Sequence, residues 1–292
     1  MQTRTTDDTR TVFRLDTQGL HPRLAPALTV VDTIPTADGP VTAQASWSDT
    51  GWQRTAILDI TTPQRTVTLT PTQRIAHLAW APTGDTLLVV QETPQGLALH
   101  RWQAGQADLG PALGQLTGEL VTVHWHPTGP AALVLSAYRQ EETWQWAGTL
   151  VRFDAATSTQ LTPPPPGHLG LTPFAWDADG LLWVGQVGRG AVIEHLPLDT
   201  GLPTRLGTLD TAPLAIRRAD VDTLQLVQRD ADDQLTLVRW TDGQTTRLFA
   251  LDDVTRADPT QPVRGLWHAT TLLLGSGTNQ LWTLTFDAEA LQ

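Results

Sequence analysis

The sequence predicts an all-β fold built from repeated units of four antiparallel strands, and three observations favour it. Short apolar segments of strand length recur along the chain and are bounded by turns rich in Gly, Pro and Asp. A Trp ends the first strand of most units, just before a tight turn. No stretch of ten or more residues has helical periodicity, and 21 Pro and 23 Gly oppose long helices.

The second strand of each unit is the clearest element, because it is a short apolar run that indicates a buried strand. The five best examples are Thr86–Gln91, Ala131–Ser136, Leu181–Gln186, Thr223–Gln228 and Thr271–Gly275. The strand before each of them ends at a marker residue, which is Trp80, Trp125, Trp176, a position near 219, and Trp267. The markers are 45, 51, 43 and 48 residues apart, a period typical of propeller blades.

A third and a fourth strand complete each unit. The predicted third strands are segments of alternating residues: Leu97–Trp102, Thr149–Asp154, Val192–Leu198, Leu235–Trp240 and Leu281–Asp287. Weaker fourth strands follow at Gln160–Thr162, Thr204–Leu209 and Thr246–Leu251. The first unit has no marker, and Trp47 is interpreted as the end of its second strand. The resulting units cover residues 28–73, 74–118, 119–167, 168–211, 212–259 and 260–292 of one domain, 1–292; the weak first and last units also permit seven.

The last unit lacks a fourth strand, while the segment Thr11–Asp16 near the N-terminus is an unassigned strand. We expect this segment to complete the last unit and close the ring, because an unpaired strand edge promotes aggregation.

The turn Trp80-Ala-Pro-Thr-Gly-Asp85 before TLLVVQ, and Thr149-Leu-Val-Arg-Phe-Asp154 before QLT, resemble the repeat of TolB-like and WD-repeat-like β-propellers. The resemblance implies a single six-bladed β-propeller and a rigid platform for protein or peptide partners. It implies no chemistry, because this fold carries unrelated functions. The fifth unit departs from the motif, with Arg217-Arg218-Ala-Asp220 in place of the Trp turn.

Composition excludes several kinds of chemistry and partner. The chain has no Cys, and all 19 basic residues are Arg, so thiol and lysine chemistry are absent. A net charge of −11 disfavours nucleic acid, which needs clustered cations. The first residues do not form a secretory signal, and no apolar run has membrane-spanning length. We therefore expect a cytoplasmic monomer without a membrane span and without a cofactor.

Two groups of residues are candidate binding sites. The residue after the marker is His126, Asp177 and His268 in three units, so these side chains are expected at equivalent ends of inner strands. Two imidazoles and a carboxylate suit a metal or a substrate, but His and Asp are also ordinary turn residues, and we predict no bound metal.

The second candidate is the segment 138–146 of the third unit, read as the longest hairpin loop of the chain. It combines aromatic and acidic residues that are typical of partner-binding loops: Tyr138, Glu141, Glu142, Trp144 and Trp146. The alternative is an extension of the two flanking strands.

The sequence thus favours a non-enzymatic scaffold or docking module for a protein partner. One alternative is an enzyme with a metal-assisted, lactonase-like hydrolytic site on the propeller axis, formed by His126, Asp177 and His268. Another is a carbohydrate-binding propeller that stacks sugars on its Trp residues.

Overall fold

A computed structural model describes the chain at residues 27–49, 54–118, 120–140, 143–161, 174–187, 190–220, 222–230, 232, 234–251, 263–268, 271–276 and 281–286. Every regular element within these residues is a β-strand. The strands form six antiparallel sheets, which we number blades 1 to 6 in chain order; five have four strands and the sixth has three. In each sheet the strands are neighbours in the order in which they follow along the chain.

The first three blades contain strands β1 to β12. Blade 1 consists of β1 (Ala27–Ile34), β2 (Val41–Asp49), β3 (Arg54–Thr61) and β4 (Thr66–Leu69). Blade 2 consists of β5 (Ile75–Trp80), β6 (Thr86–Thr93), β7 (Gly96–Gln103) and β8 (Ala112–Leu116). Blade 3 consists of β9 (Leu120–Trp125), β10 (Ala131–Gln140), β11 (Thr143–Arg152) and β12 (Thr157–Gln160).

The last three blades contain strands β13 to β23. Blade 4 consists of β13 (Phe174–Trp176), β14 (Gly180–Val187), β15 (Gly190–Pro197) and β16 (Thr204–Leu209). Blade 5 consists of β17 (Ala215–Asp220), β18 (Thr223–Arg229), β19 (Leu235–Thr241) and β20 (Gln244–Ala250). Blade 6 consists of β21 (Val263–His268), β22 (Thr271–Ser276) and β23 (Leu281–Thr285).

The chain divides into two compact units, and the division passes through blade 3. Unit 1 comprises residues 1–138 and 151–158, and unit 2 comprises residues 139–150 and 159–292. The predicted single domain stays a prediction. The predicted closing strand Thr11–Asp16 lies outside the described residues.

Unit 1 is held together by apolar side chains packed between successive blades. Strand β1 packs on strand β5, and the core there includes Leu58, Leu87 and Trp102, which are fully buried. The buried carboxylate of Asp32 on β1 accepts a hydrogen bond from the Trp80 backbone N–H at 2.7 Å. These contacts join the innermost strands of two consecutive blades.

Unit 2 repeats this arrangement. Strand β13 packs on β17, and β17 packs on β21. One core lies between blades 4 and 5, around Val184 and Leu226, and another lies between blades 5 and 6, around Leu237 and Leu274. Successive four-stranded meanders that stack by their inner strands are the blades of a β-propeller. The predicted all-β blade repeat is therefore confirmed.

Three details of the strand prediction need correction. The four-strand unit predicts a fourth strand in blade 2, but its position at β8 was not assigned, since the sequence of β8 is short and weakly apolar. The outer strand of blade 3 is Thr157–Gln160 and not Gln160–Thr162. The third strand of that blade begins at Thr143 and not at Thr149, because the segment expected as a loop pairs as a strand.

The Trp markers occupy one structural position. Trp80, Trp125, Trp176 and Trp267 each pair with a buried residue near the start of the second strand, namely Leu87, Ala132, Leu181 and Leu272. In blade 5 the residue with this pairing is Arg218, opposite Leu224. The marker position near 219 is thus taken by an arginine.

Candidate functional site

His126 directly follows the marker strand of blade 3, where its side chain closes the turn to the next strand. Its imidazole is 4% exposed, and its Nδ1 accepts hydrogen bonds from the backbone N–H groups of Thr128, at 3.1 Å, and Gly129, at 2.5 Å. A nitrogen that accepts carries no proton, so a ring bonded in this way has its N–H at Nε2. Neither ring nitrogen then has a free lone pair for a metal.

Asp177 occupies the equivalent position in blade 4 and binds its own turn in the same way. Its Oδ1 accepts hydrogen bonds from the N–H groups of Asp179 at 3.0 Å and Gly180 at 2.7 Å. Its Oδ2 lies 3.1 Å from Arg218 Nε and 3.5 Å from His195 Nε2. The carboxylate therefore links the turn of blade 4 to the inner strand of blade 5.

The environment of Asp177 stabilises its charged form. Burial raises the pKa of this carboxyl, but the side chains of His195 and Arg218 and the Asp179 N–H lower it by more. The net pKa of Asp177 is below its ordinary value. Such a group is a permanent anion at neutral pH, suited to an ion pair and not to proton transfer.

The third residue of the predicted set, His268, is the last residue of β21, and its side chain lies outside the described part of the chain. Over the residues that the structure describes, no three His, Asp or Glu side chains are grouped to hold a metal ion. The structure places His126 and Asp177 each in its own turn, in different units.

Blade 5 carries a pair of polar residues, Arg217 and Gln225, directly before its marker position. Arg217 on β17 donates from Nε to Gln225 Oε1 at 2.5 Å, and Gln225 is fully buried. The Arg217 guanidinium carbon lies 4.4 Å from the centre of the Trp267 ring, a cation–π contact between blades 5 and 6. Burial lowers the pKa of Arg217. The contact of Arg217 with Trp267 joins neighbouring blades, as does the ion pair of Asp177 with Arg218.

The second predicted candidate is a strand extension and not a long loop. Tyr138 belongs to β10, and Trp144 and Trp146 belong to β11, so only Glu141 and Glu142 separate the two strands, and they lie outside the described residues. The side chain of Trp146 is half-buried. Alternating polar and aromatic residues suit a two-stranded ribbon as well as a loop, which is why composition alone leaves both interpretations open.

A cleft that the sequence did not reveal lies between blades 2 and 3 of unit 1, which we call the blade 2–3 cleft. Its volume is about 300 Å³. Its lining comes from two turns and the ends of two third strands: residues 81–83, Asp85, Thr86, Arg101, Gln103, residues 125–130, Phe153 and Asp154. His126 is the one predicted site residue in this lining.

The walls of the blade 2–3 cleft are well ordered by contacts of their own. Trp125 stacks on Phe153 with ring centres 4.9 Å apart. Arg101 donates from Nη1 to the Phe153 carbonyl oxygen at 2.5 Å, and the Phe153 N–H donates to the Pro130 carbonyl at 2.8 Å. The stack and the two hydrogen bonds fix Arg101, Trp125 and Phe153 relative to the turn after β9.

A second cleft, the blade 1–2 cleft, has a volume of about 430 Å³ and also lies in unit 1. It is lined by the turns after β1, β3, β5 and β7, including Asp38, Arg65 and Trp102. Thr83 and Asp85 line both clefts, so the turn after β5 is their common wall.

No protein-family model matches the sequence, and no curated protein matches it. The structure search does find similar folds. The β-propeller domain of the trilobed protease from Pyrococcus furiosus aligns over 90% of this chain and 86% of its own length, with 8% identity and a TM-score of 0.46. TolB from Acinetobacter baumannii aligns over 93% and 79%, with 12% identity and a TM-score of 0.33.

The acylaminoacyl peptidase of Pyrococcus horikoshii aligns over 84% of this chain with 8% identity and a TM-score of 0.41. This chain spans only 42% of the length of that peptidase. TolB, which the Trp turn motif resembles, is thus among the solved structures with a similar fold. The assignment to the β-propeller class rests on the strand order and blade packing of the chain itself.

Within the described residues there is no helix with the length and apolar character of a membrane span.

Proposed function

We propose that the protein is a non-enzymatic β-propeller module that docks a protein partner in the blade 2–3 cleft. The observation that carries the proposal is the cleft itself, a concave surface of about 300 Å³ between two consecutive blades. Aromatic and proline side chains line it together with a few polar groups, a composition suited to binding. The blade repeat in the sequence favours the same class of function.

The rigidity of the cleft supports binding. Association costs less entropy when the binding surface is already held in one conformation. Here the stacked rings of Trp125 and Phe153 and the hydrogen bonds of Arg101 and Phe153 hold the wall in place. Pro82, Pro127 and Pro130 stiffen the two turns and are exposed to a partner.

The bonding of the predicted axial residues disfavours the metal-assisted alternative. His126 uses its Nδ1 lone pair on two backbone N–H groups, and Asp177 uses both carboxylate oxygens within the protein. These are the atoms that a metal would need. Their position next to the Trp marker serves the fold in both blades.

Site-specific photo-cross-linking tests the proposal. A benzoylphenylalanine at Thr128, an exposed residue of the cleft, is compared with the same group at Thr245, which is exposed on the outer strand β20. In native cell extract, we expect one defined protein, identified by mass spectrometry, to cross-link through position 128 and to bind the purified chain when it is itself purified.

Two outcomes contradict the proposal. One is equal cross-linking of the same proteins through positions 128 and 245, which would indicate unspecific collision. The other is a cross-linked protein that shows no binding once purified.

A further inference from the structure

Three carboxylates stand along the two clefts of unit 1. Asp154 lines the blade 2–3 cleft, Asp38 lines the blade 1–2 cleft, and Asp85 lines both, and all three are exposed. The positive groups of the lining are Arg101 and Arg65. Arg101 is held against the wall by its bond to the Phe153 carbonyl. The formal charge of the lining is therefore −1, from three Asp and two Arg.

The wall between the clefts is fixed in place, so the two clefts have a constant spacing. Gly84, in the turn after β5, is buried and has a φ of 76°, which favours glycine. A Cβ at this position would stand 2.6 Å from Thr36 Cγ2 of the turn after β1. The Thr83 hydroxyl donates to Asp85 Oδ1 at 2.5 Å, which orients that carboxylate.

We infer that the two clefts form one groove for an extended segment of the protein partner, with arginine or lysine side chains of that segment beside Asp38, Asp85 and Asp154. The inference rests on the proposed function and adds the chemistry of the partner. Two depressions that share one wall suit an extended chain, which reaches both through alternate side chains. A negative groove on a chain with a net charge of −11 attracts and orients a cationic segment.

Selection from phage-displayed random dodecapeptides on the immobilised full chain tests the inference. Four proteins are compared: the unchanged chain, Thr128→Trp, which fills the blade 2–3 cleft from its rim, and two triple variants. The cleft triple is Asp38→Asn with Asp85→Asn and Asp154→Asn. The control triple is Asp210→Asn with Asp222→Asn and Asp242→Asn, at exposed positions in unit 2.

Peptides retained by the unchanged chain and lost on Thr128→Trp are expected to contain arginine and lysine at least about threefold more often than the starting library. The cleft triple should abolish this enrichment, and the control triple should preserve it. A synthetic copy of a selected peptide should bind the cleft triple about tenfold more weakly than it binds the unchanged chain. Its Kd for the control triple should stay within about twofold of its Kd for the unchanged chain.

The other outcomes distinguish the inference from the proposed function. Peptides that depend on Thr128 but show no basic enrichment, or that bind the cleft triple unchanged, overturn the inference and leave the docking proposal standing. Retained peptides that are insensitive to Thr128→Trp, or no enrichment of any peptide, overturn both.

Discussion

The residues after the Trp markers of blades 3 and 4 show how one structural role is filled by different side chains. His126 and Asp177 differ in side-chain shape and charge, but each has a lone pair that accepts hydrogen bonds from the N–H groups two and three residues later. Side-chain acceptors at such positions close turns, and an atom that accepts these hydrogen bonds is not available to bind a ligand. In these two blades the shared feature is a side-chain acceptor that closes the turn.

Removing this acceptor should destabilise blade 3. We expect His126→Ala to lower the free energy of unfolding by about 1 kcal/mol, since the Thr128 and Gly129 N–H groups lose their protein acceptor. His126→Asn, whose side-chain oxygen can accept, should recover part of the loss. Urea denaturation of the three proteins measures this. Equal stability of all three would show that the hydrogen bonds are not needed.

Asp177 should contribute stability that depends on pH. Its pKa in the folded protein is below the ordinary value, so its contribution is complete above the unfolded pKa of about 4 and is lost as pH falls through the folded pKa. Asp177→Asn keeps an oxygen for the turn but removes the charge next to Arg218. The variant should be less stable at pH 7 by about 1 kcal/mol.

Chemical denaturation of wild type and Asp177→Asn at pH 7 and pH 3 checks the sign. The difference in stability between the two proteins should shrink at pH 3, which is below the unfolded pKa, because the unfolded state then gains a proton that the folded state binds less readily. A difference that stays constant or grows toward pH 3 would mean that the ion pair does not control the pKa.

At the scale of elements, glycines in the third or fourth strands make room for tryptophans of the following blade. A Cβ at Gly148 on β11 would stand 2.6 Å from Trp183 Cη2 on β14. Gly207 on β16 has the same relation to the Trp240 ring on β19. The blades therefore interlock through large and small residues, as close-packed interiors require.

Filling one of these spaces should strain the packing between blades 4 and 5. We expect Gly207→Ala to destabilise the protein by about 1–3 kcal/mol, because the added Cβ would clash with the buried ring of Trp240. Thermal denaturation measures the loss. Trp240→Phe should cost less stability in the Gly207→Ala background than in the wild type, since the smaller ring relieves the clash. Strictly additive losses would exclude the proposed contact.

At the scale of the whole molecule, the repeat was predictable because each blade carries its own signal. Apolar runs such as Thr86–Gln91 and the Trp that precedes them depend only on local burial and turn geometry, and both recur in the sequence. The ribbon of β10 and β11 was predicted only as the alternative to a loop, because its polar residues, such as Arg139 and Gln140, are also typical of loops.

The clefts were not predictable in the same way. The blade 2–3 cleft joins residues near 82, 101, 128 and 153, which meet only after two blades stack. Arg101 has no motif that would mark it, Asp85 is marked only as the end of the Trp turn motif, and Arg218 only as a departure from the Trp pattern. A site formed by turns of different blades has no motif of fixed residue spacing in the sequence, because its geometry is set by tertiary packing.

The central claim is that a protein docks in the blade 2–3 cleft. The most direct test is to purify the cross-linked partner and titrate it against a matched pair of variants. Thr128→Trp fills the cleft, and Thr245→Trp adds the same bulk on β20, where residues are exposed and line neither cleft. By isothermal titration calorimetry we expect Thr128→Trp to weaken binding at least tenfold, about 1.4 kcal/mol, and Thr245→Trp to leave the Kd unchanged. Unchanged binding by Thr128→Trp, with the fold intact by circular dichroism, would contradict the account.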